Sequence, residues 1–220
     1  MNPMPMTRAS IITLLLGFTL SAWTVRGDDA REWTPLFNGK DLGGWTYFLR
    51  DSDAKMEDVW SVKDGVLICK GNPIGYLRTK EDYKNYILKL QWRFDPEKGP
   101  GNSGALLRVV GPDKVWPKSV EAQLHSRNAG DIWNIDKVKM TVDPDRTKGR
   151  RTIKLHETNE KPLGEWNQYE ITVDHGTITL KVNGLVQNMA TDCEEVAGKI
   201  ALQSEGAAIE FRDIKIKPID

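Results

Sequence analysis

The sequence has few of the residues that build metal centres and redox sites. It contains two cysteines, Cys69 and Cys193, and three histidines in 220 residues. The cysteines are not spaced as a zinc site, which requires closely paired Cys or His ligands. A single disulfide and two separate buried thiols both stay open, because sequence spacing does not fix the distance between Cys69 and Cys193.

An excess of charge of either sign is also absent. Lys plus Arg and Asp plus Glu both number 31, so the chain is formally neutral. Nucleic-acid phosphates are usually met by a clearly basic surface. We therefore expect no nucleic-acid partner.

Long apolar runs are confined to the N-terminal region. Arg8 precedes IITLLLGFTLSAW (residues 11–23), a run that is short for a membrane span and typical of a secretory signal. We expect residues 1–27 to be a signal peptide and residues 28–220 to form one domain. The mature protein would then be periplasmic or extracellular with no stable membrane span, and an uncleaved anchor is the alternative.

Sustained helical spacing of apolar residues is missing from residues 28–220, and strand patterns take its place. YILKLQWRF (86–94) alternates between apolar and polar residues, which predicts a half-buried strand. Residues 167–189 contain two hairpins, with turns at His175-Gly176 and Asn183-Gly184. Shorter strands are predicted at 58–62, 65–69, 76–79, 103–109, 119–124 and 198–204, and residues 143–163 read as a charged surface loop with at most one short strand. This pattern predicts an all-β domain, an antiparallel sandwich or barrel.

The last strand changes face along its length. Ile209 and Phe211 share one parity, whereas Ile214 and Ile216 fall on the other. One extra residue in a β-bulge at 212–213 would produce this change.

Three predicted strands carry amides and charged groups on the face opposite their core residues. A solvated outer face is expected to be polar and accounts for any one of them. Amides and carboxylates beside small residues such as Gly104 and Ala201, however, suit sugar hydroxyls, each of which needs a donor and an acceptor. The residues are Arg108 at 103–109, Glu121 and Gln123 at 119–124, and Gln203 and Glu205 at 198–205.

The neighbouring loops add further candidates for sugar binding. Trp116 and Trp133 could stack on a pyranose ring, although core packing is the alternative for each tryptophan. Asn102 and Asp131 lie in polar turns, and His125 follows Glu121 and Gln123 along the chain.

These stretches resemble the 3-keto-disaccharide (3-keto-glucoside) hydrolases, a family formerly known as a domain of unknown function. The matching stretches include GNSGALLR (101–108), VEAQLHSRNAGDIW (120–133) and GKIALQSEGAAIEFRDIKIKP (198–218), and the resemblance runs from about residue 34 to the C-terminus. It implies a concanavalin A-like jelly roll. Many relatives carry Asp-His-Gly where this chain has Ser204-Glu205-Gly206, so a mechanism that depends on that histidine does not transfer.

The resemblance implies an exported hydrolase or lyase that cleaves 3-keto-glycosides. A ketone at carbon 3 acidifies the hydrogen on carbon 2, so that a base can form an enolate, which expels the glycosidic oxygen before water adds. Glu121 or Glu205 would be the base, with the other as the acid, and Arg108 would stabilise the enolate. A divalent metal bound by Glu121 and Asp131 could replace Arg108 in that role. Asn102, Gln123 and Gln203 would orient sugar hydroxyls.

Other functions fit the same sequence. A non-catalytic, lectin-like carbohydrate-binding module is the main alternative, because one sandwich fold hosts both activities. A conventional glycosidase that uses Glu121 and Glu205, and a scaffold protein of the cell envelope, are further alternatives. The elimination route also requires a sugar 3-oxidoreductase upstream to supply the ketone.

Overall fold

The structure, a computed structural model, describes Met1 and residues 32–220. Apart from Met1, the predicted signal peptide lies outside the described residues. Within the described part, no helix has the length and apolar character needed to cross a membrane.

Sheet A contains eight antiparallel strands. Their hydrogen-bonded order is β14-β13-β12-β6-β16-β4-β3, and β1 pairs with β16. The strands are β1 (Thr34–Pro35), β3 (Trp60–Lys63), β4 (Val66–Cys69), β6 (Tyr86–Phe94), β12 (Asn167–Asp174), β13 (Thr177–Val182), β14 (Leu185–Ala190) and β16 (Ile209–Pro218).

Sheet B also contains eight antiparallel strands, in the order β10-β11-β9-β8-β7-β15-β5-β2. The helical elements are short, α1 (Met56–Val59) and a 3-10 turn, η1 (Pro144–Arg146). The strands are β2 (Trp45–Leu49), β5 (Gly75–Thr79), β7 (Gly104–Val110), β8 (Lys118–Gln123), β9 (Ile132–Ile135), β10 (Thr147–Lys148), β11 (Arg151–Thr152) and β15 (Lys199–Ser204).

The main core lies between the two sheets. Alternate side chains of β6 and β16, such as Trp92 and Phe211, pack in one cluster with Leu107, Val120 and Leu202 of sheet B. All five are fully buried. The period-2 pattern therefore forms a two-layer core, and the predicted antiparallel sandwich is confirmed.

Most predicted strands match the structure, and the last strand contains the predicted bulge. β6 has the predicted bounds, and the hairpins turn at His175-Gly176 and Asn183-Gly184. The register of β16 on β6 shifts between Arg212 and Lys215, and Asp213 has a φ of 51°. The prediction missed β1, β2 and β9, and residues 143–163 contain two short strands rather than one. Cys69 and Cys193 are separate buried thiols.

The loop at residues 111–117 folds back against the outer face of sheet B. Asp113 accepts a hydrogen bond from the Tyr76 hydroxyl at 2.9 Å and pairs with Arg78, while Lys114 pairs with Asp136 at 2.7 Å. Beneath it lies a second apolar cluster, Tyr76, Leu106, Val109, Ile135 and Ala201. The loop thus covers one part of this face and leaves a polar part beside it.

Candidate functional site

The polar part of the outer face of sheet B forms an open depression. Its cavity volume is about 110 Å³, which equals the space of a few water molecules at roughly 30 Å³ each. A ligand the size of a sugar would therefore be only partly enclosed. The lining residues are Asn102, Trp116, Glu121, Gln123, Trp133, Ile135, Arg150 and Glu205.

Six of the ten residues predicted from the sequence line this depression. The pairing of β7, β8 and β9 explains why, since Glu121 lies opposite Leu106 on one side and Trp133 on the other. Loops at the strand ends add Glu205 after β15 and Trp116 before β8. The six are Asn102, Trp116, Glu121, Gln123, Trp133 and Glu205.

Glu121 is a buried carboxyl group without a matching donor. Its side chain is 5% exposed, and its Oε1 has no hydrogen-bond partner among the described residues. The pKa of Glu121 is raised from 4.5 to about 8: burial is the largest cause, the neighbouring carboxylate of Glu205 adds to it, and Arg150 opposes it. This carboxyl group is therefore held protonated at neutral pH.

Glu205 lies in a more polar environment. Its Oε2 accepts a hydrogen bond from Asn102 Nδ2 at 2.9 Å, and its Oε1 accepts one from Trp116 Nε1 at 3.2 Å. The pKa of Glu205 is also raised, with burial as the largest cause, while the Trp116 hydrogen bond, Arg150 and His125 reduce the rise. Unlike Glu121, Glu205 has two donors that stabilise its carboxylate.

Arg150 is a lining residue that the sequence reasoning missed. It lies in the turn between β10 and β11, and the pairing of Arg151 with Trp133 brings this turn beside the depression. The Arg150 guanidinium lies over the Trp133 ring, 5.1 Å from its centroid, and its charge lowers the pKa of both carboxyl groups. No local pattern in the charged stretch 143–163 distinguishes this arginine, because only the strand pairing defines its position.

The prediction that Arg108 shares a face with Glu121 is wrong. The register of β7 on β8 shifts between Leu107 and Val110, and Arg108 has a φ of 52°, so a bulge turns its side chain away. Its guanidinium is buried and donates to the carbonyl oxygens of Glu194 at 2.7 Å and His175 at 2.5 Å. Arg108 therefore neither lines the depression nor pairs with Glu121.

The proposed metal pair of Glu121 and Asp131 is not assembled either. Asp131 is fully buried, and its carboxylate accepts hydrogen bonds from Arg151 at 2.7 Å and from the Lys154 backbone at 2.8 Å. It holds β9 to the 151–154 segment and does not line the depression. Within residues 32–220, no group of three or more His, Cys, Asp or Glu side chains is arranged to hold a metal ion.

Three other residues were predicted to bind the sugar: His125, Gln123 and Gln203. Each has a position or a hydrogen bond that differs from this expectation. His125 is exposed and lies near enough to Glu205 to lower its pKa, but it does not line the depression. The Oε1 of Gln123 accepts hydrogen bonds from the backbone of Leu124 and His125, so the amide is fixed in the wall. Gln203 is 2% exposed and turns its Oε1 toward Gly104.

The raised pKa of Glu121 predicts a dependence of stability on pH. The folded state keeps a proton that the unfolded state loses between about pH 4.5 and about pH 8. The contribution of Glu121 is therefore complete below about pH 4.5 and is lost as pH rises through about 8, at roughly 1.4 kcal/mol per pKa unit. Denaturant unfolding should show that Glu121→Gln removes much of this slope, leaving a smaller slope from Glu205. Parallel pH curves for the two proteins would contradict this prediction.

Comparisons with known proteins agree with this fold. A 3-keto-disaccharide hydrolase of Bacteroides thetaiotaomicron is 24% identical in an alignment 243 positions long, gaps included, that covers 87% of this chain and 80% of the relative. A solved structure from Parabacteroides distasonis, provisionally assigned as a glycosyl hydrolase, is 25% identical with a TM-score of 0.63 and covers 86% of this chain and 94% of its own. A Bacillus licheniformis β-glucanase, 12% identical with a TM-score of 0.59 over 86% of this chain and 98% of its own, shares the fold alone.

The family comparison spans nearly all of the described residues. The profile of the 3-keto-alpha-glucoside-1,2-lyase-like domain matches residues 32–217. This range includes every residue that lines the depression and all strands of both sheets except the last residue of β16. The chain belongs to the 3-keto-alpha-glucoside-1,2-lyase-like family.

Proposed function

We propose that this protein cleaves 3-keto-glycosides by elimination at carbons 1 and 2 followed by hydration. The observation that carries the proposal is the pair of carboxyl groups, Glu121 and Glu205, whose environments differ within one depression. Two titratable groups with separated protonation states are the usual basis of an acid and a base in one site. The family membership and the hydrolase relative support a carbohydrate substrate.

The environments assign one role to each carboxyl group. Glu205, whose carboxylate receives two hydrogen bonds, removes the proton from carbon 2. The resulting enolate expels the oxygen on carbon 1, and the electron pair of that bond passes to the leaving oxygen. Glu121, which burial keeps protonated, donates a proton to this oxygen. Water then adds its hydroxyl group to carbon 1 and a proton to carbon 2, which gives net hydrolysis.

Arg150 replaces Arg108 as the proposed stabiliser of the enolate. The guanidinium keeps its charge at all relevant pH values and donates in a planar fork. It lines the depression together with both carboxyl groups, while Trp116 and Trp133 offer ring surfaces for a pyranose. Gln123 and Asn102 contribute amide groups that can bond sugar hydroxyls.

A substrate panel tests the proposal. We expect the mature protein to cleave 3-keto-trehalose, 3-keto-sucrose or a simple 3-keto-glucoside and to leave the non-oxidised parent sugars intact, because only a ketone acidifies the carbon 2 hydrogen. In deuterated water the released 3-keto-glucose should carry deuterium at carbon 2, since that proton leaves during elimination. Reactions with and without added divalent metal define whether a metal takes part.

Other outcomes would identify the competing functions. Cleavage of parent sugars without deuterium at carbon 2, through a covalent glycosyl intermediate, would identify a conventional glycosidase. Binding of keto-sugars with no cleavage under any metal condition would identify a lectin-like module. Either result would overturn the elimination proposal.

We also propose that the protein acts after export and downstream of a sugar 3-oxidoreductase. The apolar run at residues 11–23 motivates the first part, and the need for a ketone at carbon 3 motivates the second. N-terminal sequencing of the protein recovered from the host envelope or medium tests export. An intact N-terminus on protein retained in the cytoplasm would contradict it.

A further inference from the structure

Two buried acceptor oxygens meet above Gly104. The Oε1 of Glu121 and the Oε1 of Gln203 both lack a hydrogen-bond partner among the described residues. A Cβ atom on Gly104 would lie 2.5 Å from the first oxygen and 2.1 Å from the second, so both occupy the space that a side chain would fill. Two acceptors without a donor are unfavourable in a buried site, because each loses its hydration without compensation.

Strand pairing holds the backbone of both Glu121 and Gln203 in place. Glu121 pairs with Leu106 on β7, and Gln203 pairs with Tyr76 on β5. The carbonyl oxygen of Gln203 also accepts a hydrogen bond from the Ser103 hydroxyl at 2.8 Å. The strand positions are therefore fixed, and the two unpaired oxygens can gain a donor only at the side-chain ends.

We propose that Gln203 is a positioning residue for Glu121, whose carboxyl O–H donates to the Gln203 amide oxygen in the resting protein. One proton on Glu121 then satisfies both oxygens at once. The absence of a side chain at Gly104 leaves the space that this hydrogen bond needs. The proposal is argued from the space that the two oxygens share above Gly104 and from their lack of a donor, whereas its meaning for the acid role of Glu121 rests on the proposed function.

The charged groups around Glu121 are consistent with a protonated carboxyl group. Glu205 raises the pKa of Glu121, and Arg150, the cation that lowers it, lies at the exposed surface where solvent screens its charge. Tyr169, on the neighbouring sheet, is buried with its own pKa raised and is neutral. Before the substrate binds, the hydrogen bond to the Gln203 amide fixes the orientation of the carboxyl group. When the leaving oxygen accepts the proton, the O–H bond must turn away from Gln203.

Infrared difference spectroscopy between about pH 5 and about pH 9 tests the hydrogen bond without turnover. The wild-type protein should show a protonated-carboxyl C=O band at the acidic end that is lost in Glu121→Gln. In Gln203→Met this band should shift to higher frequency, because the O–H has lost its acceptor. In Gln123→Met it should stay in place, because the Gln123 oxygen bonds backbone amides instead. Gly104→Ala should also shift the band, since the new methyl group pushes apart two flexible side-chain ends.

Two results would overturn the inference. The band could be missing throughout the pH range, which would mean an ionised Glu121 that receives a hydrogen bond from a turned Gln203 amide. The band could also be present but insensitive to Gln203→Met.

Kinetics separate this inference from the proposed function: with elimination intact, Gln203→Met should lower kcat on the order of tenfold with little change in KM. A shifted band in a protein that cleaves no keto-sugar would leave the hydrogen bond established and refute only the proposed function.

Discussion

Glu205→Gln and Glu121→Gln are both expected to reduce cleavage of a 3-keto-disaccharide on the order of a hundredfold to ten-thousandfold, but for different reasons. Glutamine nearly preserves the shape of each side chain and cannot exchange a proton. The Glu205 variant lacks the base that forms the enolate. The Glu121 variant lacks the acid that protonates the leaving oxygen.

The leaving group distinguishes the two losses. An aryl 3-keto-glucoside leaves as a stable phenolate and needs little help from an acid, so Glu121→Gln should recover most of its activity on that substrate. Glu205→Gln should not recover, since the carbon 2 proton must still be removed. Exchange at carbon 2 gives the same distinction, because the deuterium of deuterated water should enter unreacted disaccharide in Glu121→Gln and stay out in Glu205→Gln.

If Glu205→Gln recovered activity on the aryl 3-keto-glucoside and Glu121→Gln did not, Glu121 would be the base and Glu205 the acid. Near-normal activity of both variants would remove the pair from the chemistry altogether. Circular dichroism and unfolding curves supply the control, since both side chains lie at the depression and neither substitution removes a core residue.

The sequence predicted the direction of the Glu121 side chain because side chains alternate between the two faces of a regular strand. Glu121 and Gln123 alternate with Val120 and Ala122, and the period of two places them together on the outer face wherever the strand is regular. The sequence did not reveal that this face is buried at Glu121. Trp116 of the 111–117 loop and Trp133 of β9 line the depression with Glu121, and chain folding rather than local sequence brings them there.

The prediction for Arg108 was wrong because β7 is not a regular strand at that residue. The same period of two predicts that Arg108 shares the face of Gly104, and a bulge with positive φ breaks that rule after Leu107. At residues 211–214 a change of apolar parity revealed a bulge, because large core residues lie on both sides of it. In β7, Leu106 and Leu107 before the bulge and Val109 and Val110 after it are all apolar, so no parity change was visible.

The two arginines therefore make a matched test, in which the same substitution should give opposite results. Arg108 donates to the carbonyl oxygens of Lys84, His175 and Glu194. Arg108→Met leaves these oxygens without their donor and should lower the free energy of unfolding by about 3 kcal/mol. For a domain of this size that corresponds to a Tm lower by roughly 6–12 °C.

Arg150→Met should behave in the reverse way. Its guanidinium is exposed, so its loss should change Tm by only a degree or two, on the order of 0.5 kcal/mol. Loss of the charge that faces the enolate should instead lower kcat for 3-keto-glycosides on the order of a hundredfold.

Activity per folded molecule in Arg108→Met should remain close to wild type when measured well below its Tm. If Arg108→Met lost activity while keeping its stability, Arg108 would have to reach the substrate in a conformation with β7 straightened, and the bulge would be a resting state rather than the working geometry.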